Sequence, residues 1–203
     1  MLEAIDLDCA RGGRELFAKL SVALRGGELL RVRGANGSGK TSLLRILCGL
    51  LTPSAGAVRW KGTPIGELRE EYSRQLVYVG HAPAVKDDLT AAENLAFACT
   101  VSGLGVSKEM IFSALERFDL KGKDILVKNL SQGQRRRAAL ARLAVSDKVP
   151  LWLLDEPFSA LDAAAAAVVE ELMRRHAAGG GAVVFTTHQD TRVEATRVVD
   201  LDA

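Results

Sequence analysis

Cysteine and histidine are both scarce in this chain of 203 residues, with three of each. Cys9, Cys48 and Cys99 stand far apart, form no C-x-x-C pair and are odd in number. That argues against a disulfide framework and for reduced thiols packed in the interior. The first residues, Met1 to Asp6, carry early acids and no apolar h-region, so they do not read as a signal peptide. No run reaches the ~18 apolar residues that a membrane helix needs. If the protein works at a membrane, another chain is expected to span it. Heptads and internal repeats are absent, which removes coiled coils and repeat arrays. A net charge of +2 gives no pull toward nucleic acid.

What is present is an ordinary globular balance, 48% hydrophobic and 26% charged, in a length that suits one domain with an ample core. The chain is organised around Gly34-Ala35-Asn36-Gly37-Ser38-Gly39-Lys40-Thr41, followed by Ser42. This fits the phosphate-loop pattern G-x-x-x-x-G-K-[ST]. Arg25 to Glu28 reads as a turn, and Leu29 to Arg33 as a strand running into the loop. Gly34, Gly37 and Gly39 let the backbone approach a ligand without a Cβ in the way. The loop then opens a helix, expected from Lys40 to about Leu51, with Leu43, Leu44, Leu47 and Leu50 at helical spacing. A helix start offers free N–H groups and a positive dipole end to phosphate. Lys40 adds a point charge for the β- and γ-phosphates of a nucleotide, and Thr41 a hydroxyl for Mg²⁺.

Residues 2–7 and 20–24 alternate apolar and polar and read as strands; with 28–33 they predict a small β layer before the loop. Further strands are expected at Ala57 to Trp60 and Leu76 to Val79. From about Asp87 to Val145 the pattern is helical, with Ser107 as an N-cap and Ile111, Ala114, Leu115 and Phe118 in one stripe. Strand signals return at Leu151 to Leu154 and Ala182 to Thr187. Between them lies a helix from Ala163 to His176, ended by Gly179-Gly180-Gly181. Apolar strands alternating with helices argue for an α/β fold with a mainly parallel sheet covered on both faces. One domain, 1–203, is expected. Its α/β core is formed by 1–86 and 146–203, with an N-terminal antiparallel β layer and an inserted helical subdomain at 87–145.

The apolar stretch Leu151 to Leu154 runs into Asp155-Glu156-Pro157. A buried strand of such a sheet ends at its ligand edge. Asp155 is placed to hold Mg²⁺ opposite Thr41, and Glu156 to polarise an attacking water. Leu130-Ser131-Gln132-Gly133-Gln134 resembles the LSGGQ signature of ATP-binding-cassette (ABC) ATPases, with Gln132 in place of the first glycine. Ser131 and the Gly133 amide stand at a helix start, a second anion site. The run Arg135-Arg136-Arg137 that follows reads in part as a solvated face. Ser159-Ala160-Leu161-Asp162 matches the D-loop of that family, and His188 its switch histidine. The resemblance covers essentially the whole chain. It implies a P-loop NTPase of ABC ATPase type that binds ATP and Mg²⁺, with Lys40, Glu156 and His188 catalytic. It also implies a head-to-tail homodimer, in which Ser131, Gly133, Gln134 and Asp162 close on ATP held by the other copy.

Two positions depart from the family pattern. His81 stands where ABC ATPases usually have Gln, so a ring nitrogen replaces an amide oxygen near the metal. Arg11 stands where an aromatic usually stacks on adenine; its guanidinium can stack on a planar base, and Phe17 is the other candidate. Gly80-His81-Ala82-Pro83, Lys86, Leu89-Thr90, Glu93-Asn94-Leu95 and Asp155 to Asp162 are similar to the ATP-binding subunits of cytochrome c maturation heme exporters. The stop at Ala203 fits that group, with no C-terminal regulatory domain expected. This resemblance implies a peripheral subunit on the cytoplasmic face of a bacterial inner membrane. There it would drive integral-membrane partners that release a heme-loaded chaperone. The chain itself has no C-x-x-C-H for heme. The alternatives are an ABC ATPase for another substrate and a non-transport ABC ATPase. A P-loop kinase is disfavoured, because its lid would not carry Leu130 to Gln134.

Overall fold

The computed structural model describes residues 1–120 and 125–202. Strands β1 (Leu2–Arg11) and β2 (Arg14–Leu24) form an antiparallel hairpin. Its two-residue turn, Gly12-Gly13, has φ of 59° and 77°, a conformation that favours glycine. β3 (Leu29–Arg33) leads into the phosphate loop and helix α1 (Lys40–Leu47). Then come β4 (Ala55–Trp60), β5 (Thr63–Pro64), the short helices α2 (Ile65–Leu68) and α3 (Glu70–Ser73), and β6 (Leu76–Val79). A helical stretch follows, α4 (Ala91–Val101), α5 (Lys108–Arg117) and α6 (Gln132–Leu140). β7 (Leu151–Leu154), α7 (Ala163–Ala178), β8 (Ala182–Thr186) and β9 (Arg197–Asp200) complete the chain.

Two sheets result. One has the order β2-β1-β4-β5 with antiparallel pairs; the other is parallel, in the order β6-β7-β8-β3-β9. The parallel sheet shows why near-continuous apolar strands mark a doubly covered layer. Leu151 and Leu153 of β7, Ala182 and Val184 of β8, and Leu30 and Val32 of β3 face a core shared with α1 and the antiparallel sheet. Trp152, Leu154, Val183, Phe185 and Leu29 face the other core, with α7 and the helical stretch. The α5 stripe Ile111, Ala114, Leu115 and Phe118 is buried there, and Ser107 caps α5 by accepting the Met110 amide.

Two expectations are corrected. Residues 28–33 do not join the N-terminal layer: β3 pairs parallel with β8 and β9 in the central sheet. Its uninterrupted apolar start suits a strand covered on both faces rather than one. Helix α1 stops at Leu47 instead of about Leu51. Gly49 adopts φ 78° and the Leu50 amide closes onto the Arg45 carbonyl, the usual left-handed helix stop. Leu50, apolar and at helical spacing, is therefore 68% exposed. The arginine run is a solvated face only in part, as its reading allowed: Arg136 is buried to 2% exposure. Among the described residues no helix is long and apolar enough to cross a membrane.

Candidate active site

The phosphate loop wraps the N-terminus of α1, entered through Gly39 at φ 105°. A Cβ on Gly39 would lie 3.1 Å from the Phe17 ring and 3.1 Å from Leu16. Glycine is needed here both for the backbone angle and for the packing of β2 beneath the loop. This also settles Phe17, which is 7% exposed. Its ring supports Gly39 and is not presented to a base.

A cavity of 480 Å³ opens above the loop, lined by Arg11, Asn36, Gly37, Gly39, Lys40, Thr41, Ser42, His81, Asp155, Glu156 and His188, with Leu16. Residues from five parts of the chain thus converge where the sequence placed one phosphate site. Gly34, Ala35 and Ser38 form the back of the loop instead. The Lys40 ammonium donates to the Gly34 and Ala35 carbonyls at 2.7 and 2.8 Å, so it is held across the loop it serves. The Ala35 amide donates to the Asp202 carboxylate at 2.5 Å.

Asp155 and Glu156 follow the last residue of β7. Asp155 is 1% exposed. Its Oδ1 accepts from the Thr186 hydroxyl at 3.0 Å, whereas Oδ2 is buried with no partner among the described residues. A buried carboxylate oxygen left open is costly unless something binds it. Asp155 lines the same cavity as Thr41, and a carboxylate with a hydroxyl fits a hard divalent cation such as Mg²⁺, which takes few protein ligands and fills the rest with phosphate oxygens and water. Among the described residues no group of three or more His, Cys, Asp or Glu side chains could cage a metal alone. His81 lines the same cavity.

Glu156 sits at φ 50°, a strained angle for a residue with a side chain. Its amide donates to the Thr186 hydroxyl at 2.9 Å. Its carboxylate approaches His188: Oε2 accepts the His188 amide at 3.3 Å, and Oε1 lies 3.5 Å from His188 Nε2 without hydrogen-bond geometry. Among the described residues Oε1 has no hydrogen-bond partner; it is buried at the wall of the cavity that Glu156 lines.

Ser131, Gly133, Gln134 and Asp162 do not line this cavity. Ser131 and Gln134 form a reciprocal cap of α6: the Ser131 hydroxyl accepts the Gln134 amide at 3.2 Å, and Gln134 Oε1 accepts the Ser131 amide at 2.9 Å. Asp162 caps α7 by accepting the Ala165 amide at 2.8 Å. Two residues to which the sequence reading gave no role in the site are central to it. Thr186 bridges the acid pair, and Arg136 donates to four backbone carbonyls beneath it.

Residues 17–159 match the ABC transporter family. The chain is 52% identical over 191 residues to the cytochrome c biogenesis ATP-binding export protein CcmA of Aromatoleum aromaticum, covering 94% of this chain and 89% of that one. The protein of the same name from Pseudomonas aeruginosa is 46% identical over 204 residues, 100% of both chains. The solved structure of an ATP-binding subunit of an ABC transporter superposes with a TM-score of 0.84 at 26% identity, over 93% of this chain and 79% of that one. A dimeric ATP-binding cassette in a post-hydrolysis state, bound to ADP and Pi, shares the fold with a TM-score of 0.84 at 23% identity, over 98% of this chain and 94% of that one.

Proposed function

The chain belongs to the ABC transporter family and is an ATP-binding, ATP-hydrolysing export subunit of cytochrome c biogenesis; we propose that its stroke releases a heme-loaded chaperone from integral-membrane partners. The observation that carries the catalytic part is the convergence of Lys40, Thr41, Asp155, Glu156 and His188 on one cavity. Lys40 and the amides of residues 34–42 bind the phosphates of ATP. Thr41 and Asp155 would hold Mg²⁺, with His81 lining the same cavity, and the ion would supply charge neutralisation at the phosphates. Glu156 Oε1 accepts a hydrogen bond from the attacking water and polarises it. His188, beside Glu156, faces the γ-phosphate. Arg11, on the rim, stacks on the base.

Ser131, Gly133, Gln134 and Asp162 lie outside the cavity of their own chain, which supports two copies pairing head to tail so that each completes the other's site. With no membrane-crossing helix among the described residues, the stroke passes to separate integral-membrane proteins. The subunit then works as a peripheral protein on the cytoplasmic face of a bacterial inner membrane, without nucleic acid. Covalent heme on c-type cytochromes tests this. Cells whose only copy carries Glu156→Gln are expected to make heme and apocytochromes but no mature c-type cytochromes. Normal levels would reject the heme step and leave the ATPase assignment standing.

A further inference from the structure

Arg136 is a charged residue in the interior, 2% exposed, on the helix that starts at Ser131. Its Nη1 donates to the Gly80 and His81 carbonyls at 2.7 and 3.2 Å, and its Nη2 to the Asp155 and Glu156 carbonyls at 3.0 and 2.7 Å. One planar fork therefore ties three segments together: α6, the His81 loop and the acid pair. Only a guanidinium has the rigid, diverging donors for this; an ammonium is a point. Glu156 is gripped at both ends of its peptide frame, its amide by Thr186 and its carbonyl by Arg136. A non-glycine residue at φ 50° persists only when its surroundings over-determine it, and these two bonds do so.

We propose that Arg136 is a positioning residue for hydrolysis: it locks the Glu156 backbone and the His81 loop to α6, so that the aim of the Glu156 carboxylate follows the position of the Ser131–Gln134 helix start. This rests on Glu156 acting on the water. Burial of the charge is costly even with the Asp155 and Glu156 carboxylates nearby, and a role in stability would be met more cheaply by an apolar side chain. Fixing three segments in one geometry is what the guanidinium does that an apolar side chain cannot.

The test compares Arg136→Lys, Arg136→Gln and Glu156→Gln with the unaltered protein, each measured for ATP binding stoichiometry, Kd, kcat and KM. Arg136→Gln carries no buried charge and keeps the comparison open should the lysine variant not fold. We expect kcat per bound nucleotide to fall about 10- to 100-fold in the Arg136 variants, the cost of misplacing a catalytic group, with Kd within about threefold. Adding Arg136→Gln to Glu156→Gln should lower kcat no further, because both act through one carboxylate. If kcat per bound nucleotide stays normal while only the bound fraction falls, Arg136 is structural and the proposal is overturned. Additive losses in the double variant overturn it too. Near-normal hydrolysis by Glu156→Gln alone would instead reject the role of Glu156, whatever the Arg136 variants do.

Discussion

The Thr186 hydroxyl donates to Asp155 Oδ1 at 3.0 Å and, on the same oxygen, accepts the Glu156 amide at 2.9 Å. Both side chains are buried, Thr186 at 0% exposure and Asp155 at 1%. The parallel pairing of Leu154 with Phe185 brings the two together, one residue past each strand's register. Thr186→Val keeps the shape and deletes both bonds. It leaves a buried carboxylate oxygen and an amide without a partner, a loss of about 1–3 kcal/mol. Urea unfolding should report that loss, and ATP turnover should fall with it as Asp155 and Glu156 lose their support. A variant unchanged in both would make the hydroxyl dispensable.

That bond joins residues 31 apart in the chain, and so it was not legible in the sequence. The two strands were, from their apolar runs; their register was not, because a run that is buried on both faces carries no alternation to fix it. Arg136 was hidden for a related reason. Three consecutive arginines after a helix cap read in part as a solvated face, and only the fold shows that the middle one lies under the acid pair. β9 was missed because Arg197 to Asp200 is a short edge strand, largely exposed. The phosphate loop was legible throughout, since contiguous backbone makes the site and needs no distant partner. Its helix was overrun by Leu50, whose apolar character outweighed the stop signal in Gly49.

Among the described residues, Lys40 carries the only ammonium that lines the cavity. Lys40→Ala removes a charge-assisted contact, worth about 1.5–3 kcal/mol. ATP affinity should weaken about 10- to 100-fold, or turnover should stop with the nucleotide bound. Titration with ATP beside a turnover assay checks both. Wild-type values in each would remove the loop from the account.

His81 presents its side chain to the cavity while Arg136 holds its carbonyl. It links the α/β core to the helical stretch that starts with α4. His81→Ala should depress turnover stimulated by membrane partners more than it weakens nucleotide binding. Equal losses would reduce His81 to a ligand of the nucleotide or its metal.

Stability should depend on pH through His176. Its ring stacks on Trp152, 3.9 Å between centroids and 5° between planes, and neither ring nitrogen has a hydrogen-bond partner among the described residues. Burial pushes its pKa from 6.5 down to about 4; Asp147 pulls the other way through its charge and nearby backbone. Arg117 and Arg175 line the same groove. The unfolded chain therefore binds the proton first. The contribution of this group is full above about pH 6.5 and is lost as pH falls toward 4, on the order of 3 kcal/mol in all. Denaturation midpoints measured from pH 7 to pH 4 should show that slope. His176→Leu should flatten it, whatever it costs at pH 7, and an unaltered slope would place the titration elsewhere.

The central claim is that Glu156 drives hydrolysis of ATP bound at Lys40 and Thr41. The most direct measurement is ATP binding and turnover by Glu156→Gln, assayed together with its membrane partners. Glutamine keeps the shape and most of the hydrogen bonding but cannot take up proton charge from the water. The account predicts ATP bound with near-native affinity and hydrolysis lower by about 10²-fold or more. Hydrolysis at a near-normal rate would contradict it and move the role to another group, with His188 the next to test.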